Sequence, residues 1–96
     1  MPMLSETIDD TVRVSIDGEL TIYTVTELAA WLLPQIGATP HMEIGLSQVT
    51  EMDGAGLQLL AVVEREAGRT GTTLSLSGQS KAVLETFELC HPGAFV

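Results

Sequence analysis

The hydrophobic residues of this chain change spacing repeatedly along its length, and this limits the folds open to it. Val12, Val14 and Ile16 occupy every second position, which predicts a strand. The same spacing returns at 42–46 and 73–76. After each of these segments, apolar residues recur every three or four positions, which predicts helices beginning near residues 25, 54 and 80. Strands that alternate with helices predict crossover connections and parallel strand pairs.

These segments predict an α/β fold, with a mixed sheet of four or five strands covered mainly on one side by about three helices. The alternation within the strands predicts that the other face of the sheet is partly wet. The first ten residues are polar and are expected to fray. Asp17-Gly18 predicts a turn. The segment at Leu20 and Ile22 is expected to pair with the first strand as an antiparallel edge.

Local signals mark the ends of the predicted helices. Thr24 and Glu27 have the spacing of a capping box, which predicts the start of the first helix, and Pro34 is expected to end or kink it. Gly68 and Gly71 mark the end of the second helix. The third helix is expected to start at Ser80 and to end at Pro92-Gly93, with four residues facing the core: Val83, Leu84, Phe87 and Cys90.

Length and charge narrow the functions that this chain can have. Ninety-six residues predict one domain over residues 1–96, with a core at about 11–90. Thirteen acidic residues against four scattered basic ones give a net charge of −9, which excludes the basic stripe that nucleic acids require and disfavours anionic membranes. The single Cys90 allows no internal disulfide, and neither a signal peptide nor a membrane span is found, so a cytoplasmic location is expected.

The most informative stretch runs from residue 44 to residue 60, as a strand, a short loop and a helix start. Asp53 is placed to cap the helix, with its carboxylate accepting from the backbone amides of Ala55 or Gly56. The partial positive charge of the helix end favours that carboxylate. The glycines of this loop allow a sharp turn and a close approach to a neighbouring segment.

At these residues the sequence resembles the STAS domain, which is found in sulfate transporters and in anti-sigma factor antagonists. The resemblance runs from about residue 11 to residue 90. It rests on four segments in order: Gly18-Glu19-Leu20, Leu46-Ser47, Val49-x-x-Met52-Asp53-x-x-Gly56-Leu57-x-x-Leu60, and Gly78-x-Ser80.

The resemblance implies a non-catalytic protein that binds an ATP-binding regulatory kinase or anti-sigma factor. In regulated members of the family, the residue after the loop aspartate is a Ser or Thr that the partner kinase phosphorylates, but here it is Gly54. Gly45 likewise stands where the family often has an Asp. The usual phosphorylation switch is therefore expected to be absent, which predicts a constitutive binder. Ser47 and Thr50 are nearby hydroxyls that could replace the lost acceptor, or they are ordinary strand-end and turn residues.

The resemblance also implies where the partner binds. The contact loop would be formed by Asp53, Gly54, Ala55 and Gly56. The neighbouring surface would be formed by Gln58, Val62 and Arg65, on the outer side of the second helix, where helical spacing also places Ala61 and Arg69. The alternative is that this side of the helix is a plain solvated face.

Two other partner classes and one enzymatic function remain open. Some STAS-like proteins are accessory subunits of lipid-transport ATPases in membranes, and others accompany chemotaxis-type signalling kinases. A nucleotide-binding enzyme has only the glycine-bearing helix start in its favour, and Asp53 beside it would repel a phosphate. No cofactor and no metal are expected, because His41 and His91 lie far apart and Glu64 and Glu66 point in different directions on a helix.

Overall fold

The computed structural model describes residues 3–90 and the side-chain surroundings of residues 3–86. Within this range it contains four strands, three α-helices and one 3-10 turn at Leu33–Gln35. In chain order the strands and α-helices are β1 (Met3–Ile8), β2 (Thr11–Leu20), α1 (Val25–Leu32), β3 (His41–Met52), α2 (Gly54–Thr70), β4 (Thr73–Ser77) and α3 (Lys81–Cys90).

The strands form one mixed sheet in the order β1-β2-β3-β4, which confirms the predicted fold class. β2, β3 and β4 are parallel, whereas β1 is antiparallel to β2. Two predictions at this edge were wrong. The segment from Met3 onward does not fray, because β1 pairs with β2 through a two-residue hairpin at Asp9 and Asp10. The antiparallel edge is therefore β1, and Leu20 is the last residue of β2 itself.

The central strands are longer than their hydrophobic alternation predicts. β2 continues through the expected turn at Asp17-Gly18, and Gly18 takes a φ of 95° beside a register shift between β2 and β3. In β3, the pairing of Ser15 with Gly45 is followed by that of Asp17 with Gln48, so β3 holds one extra residue there. This bulge changes which residues of β3 face the core. The strand then continues to Met52, through residues that were predicted to form the loop before the second helix.

The helices begin and end close to their predicted bounds, but not always for the predicted reason. Thr24 precedes α1 without capping it, because its hydroxyl oxygen accepts from the Thr21 amide and lies 3.1 Å from the Glu19 carbonyl oxygen. The capping box was therefore wrong. Pro34 ends α1, as predicted, and the chain turns into the 3-10 segment. Gly71 ends α2 in a left-handed conformation, with φ of 75°.

One hydrophobic core lies between the sheet and the helices, and the other face of the sheet is open, as predicted. Arg13 and Ser15 point outward from β2 and are exposed, and the Arg13 guanidinium binds the Glu43 carboxylate at 2.8 Å.

In α3, Val83 is buried as expected, but Leu84 is 48% exposed, so its predicted place in the core was wrong. The side chains of Phe87 and Cys90, the predicted helix end at Pro92-Gly93 and His91 lie outside what the structure describes.

The one-sided core predicts very different costs for one substitution on the two faces of the sheet. Leu46 is fully buried in β3, whereas Leu4 in β1 is 75% exposed on the open face. We expect Leu46→Ala to lower the free energy of unfolding by about 2–5 kcal/mol and Leu4→Ala by less than about 0.5 kcal/mol. Chemical denaturation of both variants measures the difference, and equal losses would contradict this placement of the core.

Candidate functional site

The candidate site lies at the carboxyl ends of the parallel strands β2 and β3, where α1 and α2 begin. Leu20 and Met52 pair at the end of these two strands. The Asp53 amide, one residue further, donates to the Leu20 carbonyl oxygen at 3.4 Å. The pairing therefore brings the segment after β2 against the first turn of α2. This edge of a parallel sheet is where α/β proteins commonly bind their ligands.

The Asp53 carboxylate joins the two segments. Its Oδ1 accepts from the backbone amides of Ala55 and Gly56, at 3.0 and 3.1 Å, which confirms the predicted helix cap. Its Oδ2 accepts from the backbone amide of Ile22 at 3.0 Å. Sequence analysis missed this second role, because no local pattern links two residues that are 31 positions apart. One side chain therefore holds the segment before α1 against the start of α2.

These hydrogen bonds also lower the pKa of the Asp53 carboxyl below its usual value. The bond from the Ile22 amide makes the largest contribution, and those from Gly56 and Ala55 add to it, against an opposing effect of desolvation. The carboxylate is thus ionised at neutral pH. Because both of its oxygens are already bonded, it is a structural anion and not a free acid or base.

Gly56 does not belong to the exposed contact loop, although the sequence prediction placed it there. It is buried, and a Cβ at this position would lie 2.1 Å from the Leu20 carbonyl oxygen. No other residue fits such a contact without moving the backbone. The glycine is required by the close approach of α2 to the end of β2.

Gly54 is the opposite case, in the first position of α2. It is exposed, and a Cβ built on it would meet no atom within 4 Å. The position could therefore hold a larger side chain, such as that of serine, without strain. Packing does not require a glycine here. Asp53 and Ala55 are both half-buried on either side of it, so Gly54 is the most exposed residue of the loop.

The outer side of α2 continues this surface. Gln58, Ala61 and Arg65 are exposed, and Val62 is half-buried. Arg69 is also exposed, but its guanidinium binds the Glu66 carboxylate at 2.7 Å near the end of the helix. Gln58, Val62 and Arg65 are the residues that the sequence predicted to form the surface beside the Asp53 loop. We call these three residues the α2 face.

The two candidate replacement hydroxyls both lie in β3. Ser47 and Thr50 are exposed, and neither occupies a turn, because the strand runs to Met52. Ser47 lines an open depression of about 570 Å³ on the uncovered face of the sheet, together with Gly45. It is therefore not on the α2 face, and whether either hydroxyl accepts a phosphate stays a prediction.

The residues considered for metal binding or acid-base chemistry do not come together. His41 is exposed at the first position of β3, with Asp10 3.9 Å away. Glu66 is paired with Arg69, and Glu64 points elsewhere on α2. Across residues 3–90 no group of three or more His, Cys, Asp or Glu side chains is arranged to hold a metal ion. In the same range, no helix is long and apolar enough to cross a membrane.

A family model and a curated protein both match this chain over most of its length. The family model described as "Mlab, STAS domain" matches residues 4–91. The anti-sigma-B factor antagonist of Staphylococcus epidermidis is 31% identical over 82 residues, which cover 84% of this chain and 76% of that protein.

Solved structures show the same fold. An anti-sigma factor antagonist from Mycobacterium paratuberculosis superposes with a TM-score of 0.81 at 25% identity, covering 91% of this chain and 74% of that one. The unphosphorylated form of the anti-sigma factor antagonist SpoIIAA gives a TM-score of 0.77 at 22% identity, covering 95% and 82%. SpoIIAA, a Bacillus protein, has also been solved in a phosphorylated form.

The two loop glycines predict opposite responses to the same substitution. We expect Gly56→Ala to lower the free energy of unfolding by about 1–3 kcal/mol or more, because the added methyl group meets the Leu20 carbonyl. Gly54→Ala should change it by less than about 0.5 kcal/mol, since the space around it is open. Urea denaturation measures both, and an equal cost at the two positions would contradict the close contact at Gly56.

The lowered pKa of Asp53 predicts a pH-dependent contribution to stability. A carboxyl whose pKa falls on folding stabilises the native state fully above its unfolded pKa, about 3.9, and loses this effect as the pH drops through the folded pKa. We therefore expect the wild type to melt at a higher temperature than Asp53→Asn at pH 7, and the difference to shrink below about pH 4. The other carboxyls titrate in both proteins, so the difference isolates Asp53. A difference that stays constant from pH 7 to pH 2 would contradict the assignment.

Proposed function

Because the chain belongs to the STAS domain family, we propose that it is a non-catalytic interaction module of the anti-sigma factor antagonist type. It docks on an ATP-binding regulatory kinase or anti-sigma factor and changes what that protein can bind. The anti-sigma-B factor antagonist of Staphylococcus epidermidis, at 31% identity, supports this class of partner.

The observation that carries the proposal is the rigid corner at Asp53 and Gly54, where Asp53 is half-buried and Gly54 is exposed. Three backbone amides fix the Asp53 carboxylate, so the corner is held in one shape before any partner arrives. Gly54 presents bare backbone with open space around it. A fixed surface loses little conformational entropy on binding, which favours recognition of a second protein. The α2 face continues this surface for two further turns.

The same corner argues against nucleotide binding. A phosphate bound at the start of α2 would use the free backbone amides of the first helical turn. Here the amides of Ala55 and Gly56 already donate to the Asp53 carboxylate, whose negative charge would repel a phosphate. An enzyme that binds a nucleotide at this helix start would first have to displace its own cap.

Control by phosphorylation at the loop is not available to this chain. SpoIIAA exists in unphosphorylated and phosphorylated forms, whereas Gly54 offers no oxygen to accept a phosphate at the family position. A phosphate would add a charge of about −1.5 to −2 at the docking corner and disrupt a fitted interface. Without it the chain binds constitutively, and regulation lies in its partner or in its abundance.

A second candidate follows from the same missing hydroxyl. A permanently assembled subunit also has no need for a phosphorylation switch, so Gly54 fits an accessory STAS subunit of a lipid-transport ATPase as well as an antagonist. A chemotaxis-type signalling kinase is the third possible partner. The three candidates differ in the protein that contacts the α2 face, so identifying that protein separates them.

The test is site-specific photo-crosslinking in cells of the source organism. A photoreactive amino acid replaces Gln58 on the α2 face, and the matched control replaces Leu4 on the open face of the sheet. We expect an anti-sigma factor or ATP-binding regulatory kinase to be captured from position 58 and not from position 4. Capture of a transport ATPase subunit would select the second candidate. Equal capture from both positions, or none from position 58, would contradict docking through this surface.

A charge placed at position 54 should separate binding from folding. We expect Gly54→Glu to weaken binding of the captured protein at least ten-fold, about 1.4 kcal/mol, as a phosphate would. Its melting temperature should be unchanged or raised, because a carboxylate is favoured at a helix start. Gly54→Ala is the neutral control. Titration calorimetry and thermal melting measure the two effects, and unchanged affinity would exclude the corner from the interface.

Incubation with the captured kinase and ATP tests the lost switch directly. The intact mass of the wild type should show no phosphate, whereas Gly54→Ser restores the acceptor and should gain one. A stoichiometric phosphate on the wild type would contradict constitutive binding, and Ser47→Ala and Thr50→Ala would then locate it.

A further inference from the structure

Two adjacent hydrophobic side chains, which sequence analysis assigned to no site, project into solvent beside the Asp53 corner. Ile22 is 62% exposed and Tyr23 is 89% exposed. In the described part of the chain the other large exposed hydrophobic residues are Leu4, Ile8 and Leu84, and none of these is adjacent to another in sequence. Exposing an Ile and a Tyr together in a small domain is unfavourable, and such patches commonly mark interaction sites.

The backbone that carries these side chains is held by hydrogen bonds along its length. The Ile22 amide donates to Asp53 Oδ2 at 3.0 Å, and the Tyr23 amide lies 3.3 Å from the Thr21 hydroxyl oxygen. The Thr24 hydroxyl closes the turn by accepting from the Thr21 amide at 3.0 Å. The two side chains are therefore presented from a fixed backbone, which reduces the entropy lost when a partner orders them.

The two chain segments that meet at Asp53 beside this pair carry charges of one sign. Residues 17–27 and 48–58 contain five acidic residues and no basic one, and we call these acidic residues the acidic rim: Asp17, Glu19, Glu27, Glu51 and Asp53. Glu19, Glu27 and Glu51 are exposed. A surface that meets this rim without repulsion must carry positive charge.

We propose that Ile22 and Tyr23 are the anchor of the interface, and that they enter an apolar pocket rimmed by Lys or Arg on the partner protein. Tyr is enriched among the few residues that dominate binding energy, and such residues lie inside pockets that exclude water. The anchor rests on the proposed docking function, but it adds a second point of contact on the other side of Asp53 from the α2 face. The acidic rim sets the chemistry of the partner surface.

Photo-crosslinking from position 23 tests the anchor separately from the docking function. We expect the photoreactive residue at Tyr23 to capture the same protein as the one at Gln58. Capture from position 58 alone would overturn the anchor and leave the docking function standing. Capture from neither position would overturn both.

Affinity measurements with the captured protein, purified, give the size of the effect. We expect Tyr23→Ala and Ile22→Ala each to weaken binding at least ten-fold, and Leu4→Ala, which removes a similarly exposed side chain elsewhere, less than two-fold. All three variants should keep the wild-type melting temperature within a few degrees, because none of these side chains is in the core. Unchanged affinity in Tyr23→Ala would overturn the anchor.

The acidic rim is tested by charge removal at matched positions. We expect Glu19→Gln and Glu27→Gln to slow association with the captured protein and to weaken the salt dependence of its rate. The controls Glu64→Gln in α2 and Glu85→Gln in α3 remove the same charge away from the rim and should do neither. Equal effects in both pairs would overturn the positively charged pocket.

A lipid surface is the competing occupant of an exposed Ile-Tyr pair. Co-sedimentation of the wild type with phosphatidylcholine vesicles, alone and with one fifth phosphatidylserine, measures it. We expect no binding to either. The acidic rim is repelled by the phosphatidylserine surface, and two side chains bury too little apolar area to hold the chain on neutral phosphatidylcholine. Vesicle binding that Tyr23→Ala abolishes would overturn the protein pocket in favour of lipid.

Discussion

The three hydrogen bonds accepted by the Asp53 carboxylate hold together the corner that we propose as the docking site. Two of them start α2, and the third fastens the segment after β2 to that start. Since β2 and β3 are parallel neighbours, their carboxyl ends already lie side by side. One side chain then turns two separate chain segments into a single rigid corner.

Packing divides this corner into an inner and an outer part. Gly56 lies inside, where the Leu20 carbonyl leaves no room for a side chain, so the helix can approach the end of β2 closely. Gly54 lies outside with open space around it. Ile22 and Tyr23 extend the outer part on one side of Asp53, and the α2 face extends it on the other. A corner with a rigid interior and an uncovered exterior suits recognition of a protein better than chemistry on a small molecule.

The sequence predicted most of the features that leave a local pattern, although the capping box at Thr24 and Glu27 and the turn at Asp17-Gly18 were wrong. Strand alternation, helix spacing and the Asp53 cap each involve residues a few positions apart, and the structure confirms them. Features that depend on distant pairing were missed. β1 is an edge strand whose polar side chains show no hydrophobic alternation, and only Met3 in it is buried. The bulge in β3 moves Val49 inward three residues after Leu46, which breaks the period of two. The Ile22–Asp53 bond spans 31 positions.

Cross-saturation NMR determines whether a partner protein covers the outer part of this corner. The chain, labelled with deuterium and nitrogen-15, is bound to the unlabelled protein captured from its own cells, and the protons of that protein are saturated. We expect the amide signals of Ile22, Tyr23, Gly54 and Gln58 to lose intensity while that of Arg13 on the open sheet face does not. Loss confined to the open sheet face would rule out docking at this corner.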